Sequence, residues 1–486
     1  MALAVATSRP EQSAPTPGAG PRVLLVSAFD LGHQPFGLAS PAAWLKADGA
    51  RVGCLDLAVQ KLDEAAVRTA DLIGFYLPMH TATRILAGVI PRVRALNPAA
   101  HLLAYGLYAP VNEDLLRRAG IDSIIGGEFE EPMAVLARQL LSADTGPRGS
   151  LSVVSLGRQD FRVPDRTGLP ALPEYAFLTL PDGSTRTVGY TEATRGCKHL
   201  CRHCPIVPVY GGQFRVVQRD VVLADIRQQV EAGAQHITFG DPDFFNGPAH
   251  AIAIARALCA EFPGLTYDVV IKVEHLIRHR DLLPVLRDTG CILVTSAVES
   301  VDERILEIFD KRHTVADFIT VVRALRQLGI GLNPTFVAFT PWTSLDGYVW
   351  FLAQVDSLGL VQNVAPVQYA IRLLIPEGSR LLGLPQVAGL VRPFDSGSLA
   401  YPWAHSDPAV DALQRDVLGL AARAVADRMP GARFFEELWT LATRFAGQAG
   451  RPRARAPRDS SLPVPELSEP WYCCAEPTDN QLAPPV

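Results

Sequence analysis

The chain lacks any run of about 18 uninterrupted apolar residues, which argues against a membrane span. It lacks a dominant charge as well: 45 Lys and Arg stand against 50 Asp and Glu, a net charge of −5. Bulk electrostatic attraction to nucleic acid is therefore not expected. The first residues, Met1 to Pro21, have no basic stretch followed by an apolar one and do not read as a secretory signal. Cysteine is scarce, with eight residues unevenly spread over 486, too few and too uneven for a secreted disulfide scaffold. A reducing, cytoplasmic setting follows, in which clustered cysteines bind metal or do chemistry.

What is present supports globular cores, at 48% hydrophobic and 20% charged residues. Short apolar runs (Val23–Ser27, Val52–Leu57, Asp71–Leu77, Leu102–Gly106 and Ser123–Ile125) alternate with helix-like segments. That alternation predicts a parallel, doubly wound α/β sheet, a Rossmann-like domain over 22–142 behind a disordered segment 1–21. Gly and Pro enrichment marks 143–182 as a linker. A second alternation over 183–390 has six strand candidates: Thr187–Ala193, His236–Phe239, Tyr267–Lys272, Ile292–Ala297, Gly331–Phe339 and Val364–Leu374. Six units suit a partial (β/α)6 barrel with its site at the carboxyl ends of the strands. A helical extension over 391–449, with Asp411–Ala446 helical, and a flexible tail over 450–486 complete the α/β reading.

The informative segment is Thr194-Arg-Gly-Cys197-Lys-His-Leu-Cys201-Arg-His-Cys204-Pro205, directly after the first strand of the second alternation. Three thiolates on one short loop can converge on an iron-sulfur cube and leave one iron open for a small molecule. A structural zinc ion would need a fourth ligand, which His199 or His203 could supply. At these residues the chain resembles the radical S-adenosylmethionine (SAM) superfamily. The resemblance implies that Cys197, Cys201 and Cys204 hold a [4Fe-4S] cluster whose open iron binds SAM. His203 stands where that family usually has an aromatic residue.

The same resemblance assigns SAM contacts to later strand ends. Asp241 and Asp243 would receive the ammonium, and Glu299-Ser300 the ribose hydroxyls. Lys272 or Arg372 could pair with the carboxylate. Taken singly, each of these reads as a helix cap or a solvated charge; their shared position at strand ends makes them a group. Cys54, Cys259 and Cys291 fall in predicted elements and read as packing residues.

The amino-terminal stretch resembles the cobalamin-binding-type domain of many radical SAM proteins, through Gln34-Pro-Phe-Gly37 and Gly126-Gly-Glu128-Phe-Glu130. Asp30-Leu-Gly-His33 has the residue types of a cobalt-ligating loop in the wrong spacing. His33 therefore reads as an ordinary loop residue, and cobalamin stays open as a cofactor.

Near the end, Trp471-Tyr-Cys473-Cys474-Ala-Glu476-Pro477 places two thiols side by side, a vicinal disulfide or a trap for a soft ion such as trivalent arsenic. With the Cys204-Pro-Ile-Val-Pro-Val-Tyr-Gly-Gly segment, it resembles the CUAEP/CCAEP-tail radical SAM proteins. That group implies transfer of the 3-amino-3-carboxypropyl group of SAM to arsenite, giving hydroxyarsinothricin, with Cys473 and Cys474 holding arsenic. An electron donor such as flavodoxin or ferredoxin is implied as a partner. The alternatives are a cobalamin-dependent methyltransferase, a 5′-deoxyadenosyl-radical enzyme on an organic substrate, or a metalloid-sensing iron-sulfur protein.

Overall fold

A computed structural model describes residues 20–141, 153–453 and 464–468; Cys473 and Cys474 lie outside the described residues. The amino-terminal strands β1 (Arg22–Ser27), β2 (Arg51–Asp56), β3 (Leu72–Tyr76), β4 (His101–Tyr105), β5 (Ser123–Gly127) and β6 (Val154–Ser155) form one sheet in the order β2-β1-β3-β4-β5-β6. Every pairing in it is parallel. Parallel strands are covered on both faces, so their sequences run apolar instead of alternating. Along β1, Leu24 and Val26 pack on the helix His80–Leu96 through Leu86, Ile90 and Val93. Val23 and Leu25 face the helices Phe36–Ala47 and Glu130–Leu141 through Leu38, Leu45, Met133 and Leu136.

In this order the winding reverses between β1 and β3, and the crevice beyond their carboxyl ends is where such sheets take ligands. Here aromatic side chains gather at the end of β3. The Tyr76 ring lies so close to Gly37 that a Cβ there would come within 2.2 Å of it, and Tyr105 and Phe129 stand 5.4 and 6.0 Å from the same ring.

The segment expected as a linker supplies β6 to the first sheet and β7 (Phe177–Thr179) to the second. Between them Arg166, buried, joins the two halves. Its guanidinium donates to Asp225 at 2.8 and 2.9 Å, to Gln34 at 2.8 Å and to the Tyr190 carbonyl at 2.6 Å.

The second sheet continues with β8 (Thr185–Thr191); a hairpin of β9 (Thr194–Gly196) and β10 (Phe214–Val216) then leaves it. Next come β11 (His236–Phe239), β12 (Thr266–Val270), β13 (Cys291–Glu299), β14 (Gly331–Phe336) and β15 (Glu466–Leu467). The order is β14-β13-β12-β11-β8-β7-β15, parallel from β8 to β14, with β7 and β15 antiparallel. This is a curled half-barrel. Its backing helices are set by local signals: Val315–Leu328 opens on a Thr314/Asp317 capping box and stops at Gly329, whose φ is +72°.

One expected strand is corrected. Over Val364–Leu374 the chain makes a 3-10 turn, Pro366–Tyr369, and only a single bridge from Arg372 to Phe339 holds the sixth barrel position. Pro366 has no N–H for a ladder, and its fixed φ suits the turn. Likewise Asp411–Ala446 is two helices, Pro408–Ala426 and Gly431–Phe445, divided at Pro430. Cys291 is buried at the start of β13, and Cys54, on β2, is lifted to about 12 by burial, as packing thiols are.

Candidate functional site

The three-cysteine loop leaves the hairpin at Gly196 and is braced on both sides. Upstream, Asp241, just after β11, accepts from the Ala193 N–H at 2.8 Å and the Thr194 hydroxyl at 2.6 Å. Asp241, expected as a SAM acceptor, thus braces the turn with one accepted hydrogen bond on each oxygen. Gly196 has φ +74°, and a Cβ on it would meet the Tyr210 ring at 2.3 Å and the Gln213 carbonyl at 2.7 Å. Asn246 grips the loop from beneath: its amide donates to the Gly196 carbonyl at 3.1 Å and its oxygen accepts from the Lys198 N–H at 3.2 Å. Downstream, the Tyr210 hydroxyl donates to Glu128 of the first sheet at 3.1 Å.

On this loop Cys201 is buried, and Cys197 and Cys204 are half-buried. Burial first, then the charge of Asp243, pushes the Cys197 thiol up to about 12. Such a thiol ionises poorly alone, and a metal centre bound there would stabilise its thiolate. The spacing of the sulfurs bears on which centre. Thiolates on one zinc ion, at about 2.3 Å from it, lie about 4 Å apart. The three cysteines do not form such a group, because among the described residues only His199, Asp243 and His275 bring three ligand atoms within 4.8 Å of one another. The radical SAM reading of the loop, a [4Fe-4S] cube held by three thiolates, does not require them to close on a single ion. Neither histidine completes a zinc site: His203 turns to Glu299 at 3.1 Å and stacks on Phe309 at 4.4 Å, and His199 turns to Asp243.

Around the loop stand strand-end charges, all buried. Lys272, after β12, donates to Glu274 at 3.0 Å. Glu299 ends β13 in the left-handed region, φ +70°, where a register shift interrupts the pairing with β14. A non-glycine residue in that region is held by its surroundings, and such strain collects at functional positions. Its carboxylate lies 3.1 Å from His203 and 3.4 Å from Lys311. Glu299 and Ser300 open onto a cavity of about 280 Å³, with Phe336, Thr343 and Trp350 also on its wall. Asp243 offers one oxygen to the Phe245 N–H and turns the other to His199 and His275. Arg372 is not brought here: it donates to Asp411 at 2.7 Å and to the Trp403 carbonyl at 2.6 Å, above the Trp403 ring. Lys311, Glu274, His275 and Asn246 belong to the site and were not read from the sequence. The only signal for Lys311 was the run Lys311-Arg-His313 directly after a helix.

The face between the two sheets is closed by Arg195. Its guanidinium, 6% exposed, reaches Glu130 at 2.6 Å, Glu192 at 2.7 Å and Glu128 at 3.5 Å, and lies over the rings of Phe36, Phe129 and Phe161. His33 packs on Tyr190 at 4.9 Å, and burial lowers it to about 4.

A family model for the radical SAM superfamily matches residues 191–341. Among curated proteins, the hopanoid C-3 methylase of Methylococcus capsulatus is 24% identical over 339 residues, covering 66% of this chain and 64% of that protein. The tRNA-2-methylthio-N(6)-dimethylallyladenosine synthase of Photobacterium profundum is 25% identical over 209 residues, 40% of this chain and 42% of that protein. The chain therefore spans less than two thirds of the length of either relative. Among solved structures, the cobalamin-dependent radical enzyme OxsB with aqua-cobalamin and SAM bound superposes with a TM-score of 0.66 at 14% identity, over 88% of this chain and 71% of that one. The methyltransferase TsrM from Kitasatospora setae, with cobalamin and a [4Fe-4S] cluster, gives 0.53 at 17% identity, over 70% and 71%. These likenesses share the fold, a parallel amino-terminal sheet followed by a half-barrel. The chain carries a radical SAM superfamily domain over residues 191–341, which implies a [4Fe-4S] cluster and SAM as its cofactors.

Proposed function

We propose that this radical SAM enzyme opens SAM at the three-cysteine loop and transfers its 3-amino-3-carboxypropyl group to trivalent arsenic, giving hydroxyarsinothricin. The observation that carries SAM cleavage is the convergence of Cys197, Cys201 and Cys204 with buried Lys272 and Glu299 at the carboxyl ends of β9, β12 and β13. When bound, the cluster supplies the electron that opens the sulfonium and takes one back, so the net transfer is redox-neutral for the protein. The three thiolates hold that cluster and leave one iron for the amino-acid end of SAM. Lys272 pairs with the SAM carboxylate. Glu299, kept ionised by Lys311, accepts from the ribose hydroxyls, and the cavity beside Ser300 receives the nucleoside. The S–Cγ bond breaks, methylthioadenosine leaves, and the carbon bonds to arsenic, which shares its lone pair; water then replaces the thiolates that hold the arsenic, and a proton is released. Cys473 and Cys474 hold the arsenic in this reading, which the resemblance of their motif supports. Electrons come from a flavodoxin or ferredoxin.

A second reading is methyl transfer, favoured by the similarity to the hopanoid C-3 methylase. Product analysis after anaerobic incubation with reductant, SAM and arsenite tests the two. Methylthioadenosine with an aminocarboxypropyl arsenical is expected. S-adenosylhomocysteine points to methyl transfer; 5′-deoxyadenosine alone, with arsenite unchanged, overturns the proposal.

A further inference from the structure

We infer that His199, Asp243 and His275 form a second metal site, binding a first-row divalent transition-metal ion such as zinc or iron. The inference does not depend on the proposed reaction. Three segments contribute: His199 lies within the cysteine loop, Asp243 follows β11, and His275 sits in the first turn of the helix after β12. Their ligand atoms lie within 4.8 Å of one another, and all three residues are buried, His275 and Asp243 almost completely.

The geometry is not that of a hydrogen-bonded triad. Asp243 Oδ2 stands 2.7 Å from His275 Nδ1 and 3.5 Å from His199 Nε2, yet none of these three atoms has a hydrogen-bond partner. The distances are close enough but the N–H directions miss the oxygen. Leaving a buried carboxylate and two imidazoles unmet costs free energy, most for the charged group, so native folds supply them a partner. Unpartnered atoms of two rings and one carboxylate, gathered within 4.8 Å of one another, are the donor set that a cation meets.

The outer contacts agree. Glu274 lies 3.5 Å from His199 Nδ1, so a proton held there leaves Nε2 free as a ligand. The other Asp243 oxygen accepts from the Phe245 N–H at 3.0 Å, which fixes the carboxylate plane. Two imidazoles and a carboxylate, with no thiolate among them, suit zinc or ferrous iron over the calcium class, and three protein ligands leave positions open. The ion would sit beside the cluster loop, on the side that His199 faces.

The test uses the full chain with its cluster reconstituted anaerobically, then loaded with zinc and freed of excess metal by gel filtration. One zinc per chain is expected at unchanged iron content, and zinc-edge X-ray absorption should show only nitrogen and oxygen neighbours, with imidazole scattering, at about 2.0–2.2 Å. His275→Gln and Asp243→Asn should each weaken zinc binding by more than the roughly 10–100-fold that loss of an outer partner costs. No retained zinc in the unaltered protein overturns the inference, as do sulfur neighbours at about 2.3 Å or equal retention in the variants. If a variant does not fold, the absorption spectrum of the unaltered protein decides. Retained zinc without SAM cleavage would remove the proposed function and leave the site standing.

Discussion

His203 and Glu299 meet at 3.1 Å, which ties the residue before the third cysteine to the strained end of β13. The contact makes the cysteine loop and the strand end one unit, with Lys311 as the shared cation.

Burial alone would raise the Glu299 carboxyl, but the Lys311 charge and the His203 hydrogen bond outweigh it and hold it at about 2, below the ordinary 4.5. An acid lowered in this way stabilises the fold above its unfolded pKa, and that stability is lost as pH falls from about 4.5 toward 2. Glu299→Gln should flatten this acid limb in urea denaturation across pH. At neutral pH it should cost about 3–5 kcal/mol, the range for breaking a buried ion pair.

Gly196→Ala should cost the chain its cluster before its fold. The added Cβ overlaps Tyr210 and the Gln213 carbonyl, and the residue must hold φ +74°. Iron and sulfide per chain should fall well below the unaltered protein after equal reconstitution, with the thermal midpoint lowered by the roughly 1–3 kcal/mol of an overpacked site.

Arg195→Met should leave Glu130, Glu192 and Glu128 buried without their cation, at about 3–5 kcal/mol. Carboxyls stranded in this way titrate upward in the folded state. The loss should therefore shrink as pH is lowered and grow as it rises. Denaturation at two pH values reads the difference.

Lys272→Met tests the SAM carboxylate contact. A charge-assisted hydrogen bond contributes about 1.5–3 kcal/mol, so KM for SAM should rise roughly tenfold or more with a smaller change in kcat. A fall in kcat alone would remove Lys272 from substrate binding.

Much of this was legible in local sequence. The cysteine spacing, the alternation of apolar runs and helices, and the residues at strand ends gave the sheets, the half-barrel and the loop. Local signals could not say which way a side chain turns. Asp241 and Asp243 are equally acidic and two residues apart, but one braces Thr194 and the other faces His199 and His275. Arg372 holds the single bridge left of the expected sixth strand and pairs with Asp411. The site's missing members, Lys311 and His275, come from positions far along the chain whose meeting depends on how the half-barrel curls. Pro366 did carry a readable signal against a sixth strand.

The most direct test is SAM turnover by reduced, cluster-loaded enzyme beside Cys204→Ala. SAM should be cleaved to a nucleoside product by the unaltered chain and left intact by the variant. Intact SAM with the unaltered, fully loaded enzyme, or equal cleavage by both, would contradict the assignment of the three-cysteine loop as the place where SAM is opened.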